Sequence, residues 1–409
     1  MIIEKNSLYR IVFYSYFLIL PLAAAIESQV SGSNLAFNAF YLIVFTLIII
    51  DLHQSRLIDN YITIFFSLSL TLLITNAIVY GFGYFNEYEP GFIEGLKISL
   101  RVLLIALISY FTFLLTYYKT INFEDLKVIA IVLLLSMIIG QAAGLSSTTE
   151  VEGAGNEFAL QGLAGHVAIT SSILVSILPV LFISSLRSKL SFLALMLCIV
   201  AIIFTFRRSA WLILTIMGVL HLFVIYYSRR NIFQWTKTTS ILLAGSTLTG
   251  IFFLFNQDFS QAITTRLNDL NIFEGGTGAG RSVFWSILID YIAEQPLINF
   301  FIGNGYGFIQ ALLDSRLNQA IGAHNDWLDI FLSFGIIPII LFITMIGLLV
   351  KDIFNQEFML QVILTYCIAN LLILSITTGG AFDTYYAFLH CTIGYALAMK
   401  ANNRDSDND

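Results

Sequence analysis

Predominantly apolar runs recur along the whole chain, as in VLLIALISYFTFLL at residues 102–115 and IIPIILFITMIGLLV at residues 336–350. About 20 such residues in helical form cross a hydrocarbon layer about 30 Å thick. The strands of a membrane barrel would instead alternate apolar and polar positions over about 10 residues, and these runs do not alternate. Composition agrees: 58% of the 409 residues are hydrophobic and 11% charged, with mean hydropathy +0.85. A soluble domain carries about 25% charged residues. The sequence therefore predicts an all-α polytopic integral membrane protein.

Twelve crossings are expected, at residues 9–27, 34–51, 61–82, 98–118, 128–146, 166–185, 190–206, 209–228, 238–256, 327–350, 359–376 and 382–399. The first reads as a retained helix, without a small-residue cleavage site behind it. The chain then divides into nine helices over residues 1–256, a loop over 257–326, three helices over 327–399 and an acidic tail over 400–409. The loop is expected to be partly helical. Its best segment is RSVFWSILIDYIAEQP, where Val283, Phe284, Ile287, Leu288 and Ile292 form a helical stripe that Pro296 closes. Cys198, Cys367 and Cys391 lie inside apolar segments without paired spacing, which argues against disulfides or a metal site.

Orientation follows from the cations, because Lys and Arg are retained on the cytoplasmic side. With a cytoplasmic N-terminus, Lys5, Arg10, Arg56, Lys119, Lys127, Arg187, Lys189, Arg229, Arg230, Lys237, Lys351, Lys400 and Arg404 face inward, 13 of 20. Both termini are then cytoplasmic. The remaining seven are Lys97, Arg101, Arg207, Arg208, Arg266, Arg281 and Arg316. They stand on the disfavoured side and call for a reason.

Several outer-face residues could carry chemistry. Arg207 and Arg208 occupy the short turn in IIFTFRRSAWLILTI, where a charge is expensive and usually functional; a pair snorkelling to lipid headgroups is the bland alternative. Arg281 follows the glycine-rich EGGTGAG and would stand at a helix start, an arrangement suited to phosphate or simply to an exposed helix end. His324, Asn325 and Asp326 open the apolar run after the loop. Histidine titrates near neutrality and is the commonest general base, and a helix N-terminus keeps an imidazole neutral and able to accept a proton. Asp326 and Asp329 would orient that ring or bind sugar hydroxyls, although helix caps explain Asn325 and both aspartates nearly as well.

GNGYGF, containing Gly305 and Tyr306, follows no strand, so dinucleotide binding is rejected and a tight turn near a ligand is expected. Gly165, His166 and Arg101 also fall near the outer face, whereas His221 and His390 read as packed helix residues. No DxD, ExxH or Cys/His cluster stands on the outer side to hold a metal, so no metal or other cofactor is expected. Three arginines and one histidine on one face suit transfer from a diphosphate-activated donor, with arginine neutralising the leaving group.

The pieces RRSAWL, GAGRSVFW, GNGYGF and AHNDWLDIFLSFGIIP, in that order, resemble the O-antigen ligase and O-antigen polymerase superfamily of bacterial inner-membrane glycan transferases. The resemblance implies a GT-C-like fold of about twelve helices, with a large periplasmic loop between the ninth and tenth crossings. It implies a glycan donor on undecaprenyl diphosphate, metal-independent transfer with inversion, and an active site facing the periplasm. The family's His-Asn motif falls on His324 and Asn325, its Arg before a small residue and an aromatic on Arg208, and its Arg after a glycine run on Arg281. The small position met by Gly335 agrees, while Pro338 stands where a glycine is usual.

By this resemblance Arg208 and Arg281 grip the diphosphate and His324 is the base, with Arg207, Asn325, Asp326, Asp329, Gly305 and Tyr306 around the substrate. The expected partners are an undecaprenyl-diphosphate-linked oligosaccharide, a lipid-linked repeat unit or lipid A-core as acceptor, a chain-length regulator and membrane lipids, with no nucleic acid. An O-antigen polymerase is expected, with an O-antigen ligase as the alternative. A lipid-linked glycan transporter is the competing class; its ionisable groups would sit at mid-membrane within repeated halves, and no repeat is visible here.

Overall fold

The computed structural model describes residues 5–27, 33–52, 59–81, 92–143, 159–164, 166–227, 281–318, 322–354, 357–378, 380 and 382–406. Among these residues every regular element is a helix. The first eight are α1 (Lys5–Glu27), α2 (Ser33–Leu52), α3 (Asn60–Gly81), α4 (Phe92–Tyr117), α5 (Phe123–Ala142), α6 (Val167–Ser185), α7 (Lys189–Phe204) and α8 (Arg208–Tyr227). Then follow α9 (Arg281–Glu294), α10 (Leu297–Ile302), α11 (Phe308–Leu317), α12 (Asp326–Phe334), α13 (Ile336–Ile353) and α14 (Phe358–Thr377). A 3-10 turn (Thr384–Tyr386) leads into α15 (Ala387–Ser406).

Six of the described helices, α1, α3, α4, α6, α13 and α14, are long and apolar enough to cross a membrane, and α2, α7 and α8 contribute shorter apolar stretches. Side-chain placement fits that solvent. On α2, Phe40, Ile43, Leu47 and Ile50 are exposed while Tyr41, Phe45 and Ile49 are buried, so the helix is apolar on both faces. A helix that is apolar all round belongs in a protein core or a membrane. The chain is a multi-pass membrane protein.

The helix α4 lies at the centre, packed against α2, α3 and α15, and α6 joins α5, α7, α14 and α15 on one side of it. Polar links inside the bundle pair groups that would otherwise be costly to bury. His221 Nδ1 on α8 is 2.7 Å from the Tyr366 hydroxyl on α14, and the Asn370 amide donates to the Val175 carbonyl at 2.6 Å. His221 and His390 are thus buried helix residues as expected, and the three cysteines are buried and free.

At the end of α13 remote from its N-terminus, buried Lys400 on α15 pairs with Asp352 on α13 at 2.6 Å and with Asp59, just before α3, at 3.4 Å. The helix α15 continues to Ser406, so the first residues expected as an acidic tail are helical. Beside α5, the Asp125 carboxylate closes a capping box with Asn122 and also receives Arg10 and Tyr14 of α1.

The expected ninth crossing, Arg266 and the glycine run before Arg281 lie outside the described residues. Each of the other expected crossings falls on a helix, with one difference: the segment expected at 327–350 is two helices, α12 and α13, divided at Gly335. Gly335 has φ +82°, and a Cβ there would collide with the Phe301 carbonyl of α10; Gly303, with φ +77°, meets the Ser333–Phe334 backbone in the same way. Two chain segments thus cross where neither tolerates a side chain, and that crossing, unseen in the apolar pattern, ends α12.

Candidate active site

His324 stands in a short segment fixed on both sides. Before it, the Ala323 N–H donates to Asp329 Oδ1 at 3.2 Å, and the Ala323 carbonyl accepts from the Trp285 indole at 2.8 Å. After it, Asn325 caps α12, its side-chain oxygen accepting from the N–H groups of Trp327 at 3.0 Å and Leu328 at 3.3 Å. His324 itself has φ +53°, in the left-handed region, and its side chain is exposed. Non-glycine residues enter that region at a cost of roughly 1–2 kcal/mol, so the cap and the Ala323 contacts hold an unfavourable backbone in place.

The imidazole lines a cavity of about 330 Å³. Asp326, Asp329, Ser333 and Phe334 of α12 form one wall, with Gly322 beside them, and Tyr306, Gly307, Ile309 and Gln310 form a second. Arg101 with Leu72, Ile98 and Val102 brings in α3 and α4, and Thr378, Gly380, Phe382 and Asp383 close the remaining side. The polar groups gather above apolar walls, the usual makeup of a site that orients a ligand by a few convergent groups.

Burial decides the state of Asp329. Loss of water raises its carboxyl to about 6, against the opposing hydrogen bonds from the backbone at Ala323 and Asn325. Asp329 is partly buried and Asp326 is buried, at 6% exposure. Among the described residues no group of three or more His, Cys, Asp or Glu is arranged to hold a metal ion.

The glycines of GNGYGF explain how Tyr306 reaches the cavity. Gly303, Gly305 and Gly307 all have positive φ, and the N–H groups of Asn304 and Gly305 donate to the Leu332 and Ser333 carbonyls at 2.8 and 3.0 Å. Asn304 is buried and ties the turn to Asn299, to Tyr291 at 2.9 Å and to the Leu332 carbonyl at 3.0 Å. The expected tight turn is present, docked on the C-terminal half of α12. Gly305 supports it from behind and does not line the cavity.

Arg207 lies between α7 and α8, in a turn that Phe206 makes possible with φ +52°, and Arg208 opens α8. Neither lines the cavity, but the charge of Arg207 is felt at two other residues. Burial, and then the charge of Arg207, lower the pKa of His166, the N-cap of α6. That charge also opposes the burial that pushes the Tyr386 phenol up to about 12. Tyr386 contacts Ser172 at 2.8 Å and hydrogen-bonds Thr378, which lines the cavity. Arg281 opens α9, the helix whose Trp285 holds Ala323; its side chain lies outside the described residues.

Of the residues expected from sequence, the structure brings His324, Asp326, Asp329 and Tyr306 to one cavity, with Asn325 as the cap beneath them. Sequence reasoning missed Trp285, Thr378 and Asp383. An aromatic in the loop helix and the polar residues of TTGGAFDTYY carry no periodicity or spacing that marks them. Arg101 did carry a signal, a cation inside an apolar run at the disfavoured end.

No curated relative matches the chain. Residues 192–343 match the family model described as O-antigen ligase. That segment runs from α7 into α13 and contains Arg207, Arg208, Arg281, Gly305, Tyr306, His324, Asn325, Asp326 and Asp329. The match spans just over a third of the chain and supports its resemblance to the O-antigen polymerase and ligase superfamily.

Proposed function

We propose that the protein is a glycosyltransferase of the bacterial inner membrane that moves a glycan from undecaprenyl diphosphate to a sugar hydroxyl at the periplasmic face. The observation that carries this reading is the placement of His324 with Asp326 and Asp329 in one cavity at the end of the bundle. His324 takes the proton from the acceptor hydroxyl. The freed oxygen forms a bond to the anomeric carbon from the face opposite the leaving group, the bond from that carbon to the diphosphate oxygen breaks, and the configuration inverts. The leaving diphosphate carries the negative charge away, and Arg208 and Arg281 stabilise it, with Arg207 beside them. No step draws on a metal. Fixed donors aimed at developing charge are worth about 10²–10³ in rate each.

Asp329 keeps the His324 segment in register, and Asp326 and Tyr306 hold sugar hydroxyls. With the N-terminus in the cytoplasm, the cavity lies on the far side of the membrane, where Arg101, Arg207 and Arg208 also fall. The acceptor in this reading is a second lipid-linked repeat unit, which makes the protein an O-antigen polymerase working beside a chain-length regulator. The description of the matched family favours a second acceptor, lipid A-core, and hence a ligase.

A gel of envelope glycans from a deletion strain separates these readings. Complementation with the wild-type chain restores the ladder, and His324→Ala does not. Collapse to lipid A-core bearing one repeat identifies a polymerase. Loss of all glycan from lipid A-core, with long chains kept on undecaprenyl diphosphate, identifies a ligase. A normal ladder with His324→Ala overturns the assignment of the base.

A further inference from the structure

Arg101 is an arginine inside a membrane span. It stands on α4 within the apolar stretch Gly95–Tyr117, which has the composition to cross a membrane. An ionised side chain there costs several kcal/mol unless something compensates it, and such residues face a bundle interior or a cavity and mark a pathway or site. Arg101 is half-buried and lines the same cavity as His324.

Its surroundings do not account for its charge. Asp326, Asp329 and Asp383 line this cavity too, yet among the described residues no ion pair or hydrogen bond joins any of them to Arg101. Asp329 instead holds the Ala323 N–H, and Asp383 caps the 3-10 turn by accepting from the Tyr385 N–H. The nearest wall is apolar, with Ile98 and Val102 from the same helix and Leu72 from α3. A low-dielectric wall strengthens whatever charge interaction the guanidinium makes, and its planar fork matches phosphate or carboxylate oxygens. Arg101 also comes from α4, outside the segment that matches the family model.

We propose that Arg101 is a further substrate-positioning residue, whose guanidinium holds an anionic oxygen of the lipid-linked glycan in the cavity that His324 enters. The inference rests on the glycan-transfer reading for the identity of the ligand. The anionic oxygen belongs either to the diphosphate or to an acidic sugar, and two probes tell these apart.

The test uses the full chain in nanodiscs of phosphatidylcholine, with binding of farnesyl diphosphate, of methyl glucuronide and of uncharged farnesol measured separately. The wild type is expected to bind one anionic probe, and Arg101→Gln to weaken that binding about tenfold or more, as for loss of a charge-assisted hydrogen bond. Arg101→Lys should restore much of it, and farnesol binding should not change. Loss confined to farnesyl diphosphate places Arg101 on the diphosphate; loss confined to the glucuronide places it on an acidic sugar. Equal binding of both anionic probes by wild type and Arg101→Gln overturns the proposal, as does a wild type that binds neither. Equal loss of farnesol and the anionic probes, unrescued by lysine, shows a role in folding and overturns it too. Because no transfer is measured, failure of the transfer reading with His324→Ala is read independently.

Discussion

The Asp329 carboxylate accepts a hydrogen bond from the Ala323 N–H at 3.2 Å, one residue before the histidine that enters the cavity. The bond spans the turn that begins α12 and makes the position of His324 depend on a side chain a helical turn further on. Asp329→Ala is expected to lower stability by about 1 kcal/mol, a typical net value for one hydrogen bond. It should lower glycan transfer by more than that loss of folded protein explains. Asp329→Asn keeps an oxygen for the Ala323 N–H and should retain most of the activity. Purified protein assayed for melting temperature and for transfer rate checks both; an Asp329→Ala protein as active per folded molecule as wild type removes the positioning role.

The same carboxylate gives stability a pH dependence. Burial raises Asp329 to about 6 from an ordinary 3.8, so between those values the folded state binds the proton that the unfolded state has lost. Stability therefore falls as pH rises from about 4 to about 6, by up to roughly 2–3 kcal/mol, and levels off above. The melting temperature of wild type relative to Asp329→Asn should drop across that window. A constant difference from pH 4 to pH 7 contradicts the assignment.

Gly335 is expected to tolerate no side chain. Its φ of +82° and the Phe301 carbonyl facing it both oppose a Cβ. Gly335→Ala should cost about 3 kcal/mol or more, adding left-handed strain to overpacking, with Gly303→Ala failing in the same way. Thermal unfolding in detergent reads the loss, and a wild-type melting temperature would show that α10 and α12 do not meet as described.

Lys400 neutralises two carboxylates at the far end of α13, where its side chain is 8% exposed. Lys400→Met leaves Asp59 and Asp352 without it, and removing one partner of a buried ion pair typically costs about 3–5 kcal/mol. Protein yield and melting temperature should fall together. Since the cluster lies about 27 Å from the start of α13, by 18 residues at roughly 1.5 Å each, transfer per folded molecule should be unchanged.

Six spans were legible because membrane helices declare themselves by local composition, and the helix Ala387–Ser406 was found from its apolar half alone. The division of α12 from α13 was not legible. IFLSFGIIPII reads as one apolar run, and the break comes from α10, more than thirty residues earlier in the chain. Pro338, a departure from the family pattern, falls in the first turn of α13, where proline removes no helical hydrogen bond. In the cavity, His324 and its aspartates were legible as polar groups misplaced in an apolar context. Trp285 was not, because its role is a contact with the Ala323 carbonyl made only after two distant segments pack.

The central claim is that His324 is the base for glycan transfer, and its backbone supplies a built-in control. At φ +53°, glycine is the unstrained residue and alanine the strained one, so His324→Gly should be more stable than His324→Ala by about 1 kcal/mol. The measurement is the rate of transfer from an undecaprenyl-diphosphate-linked glycan by purified protein in liposomes, for wild type and both variants, each corrected for folded fraction. Both variants should lose about 10² or more in rate, as for removal of a general base, despite their different stabilities. A rate that follows stability, with His324→Gly near wild type, would contradict the claim.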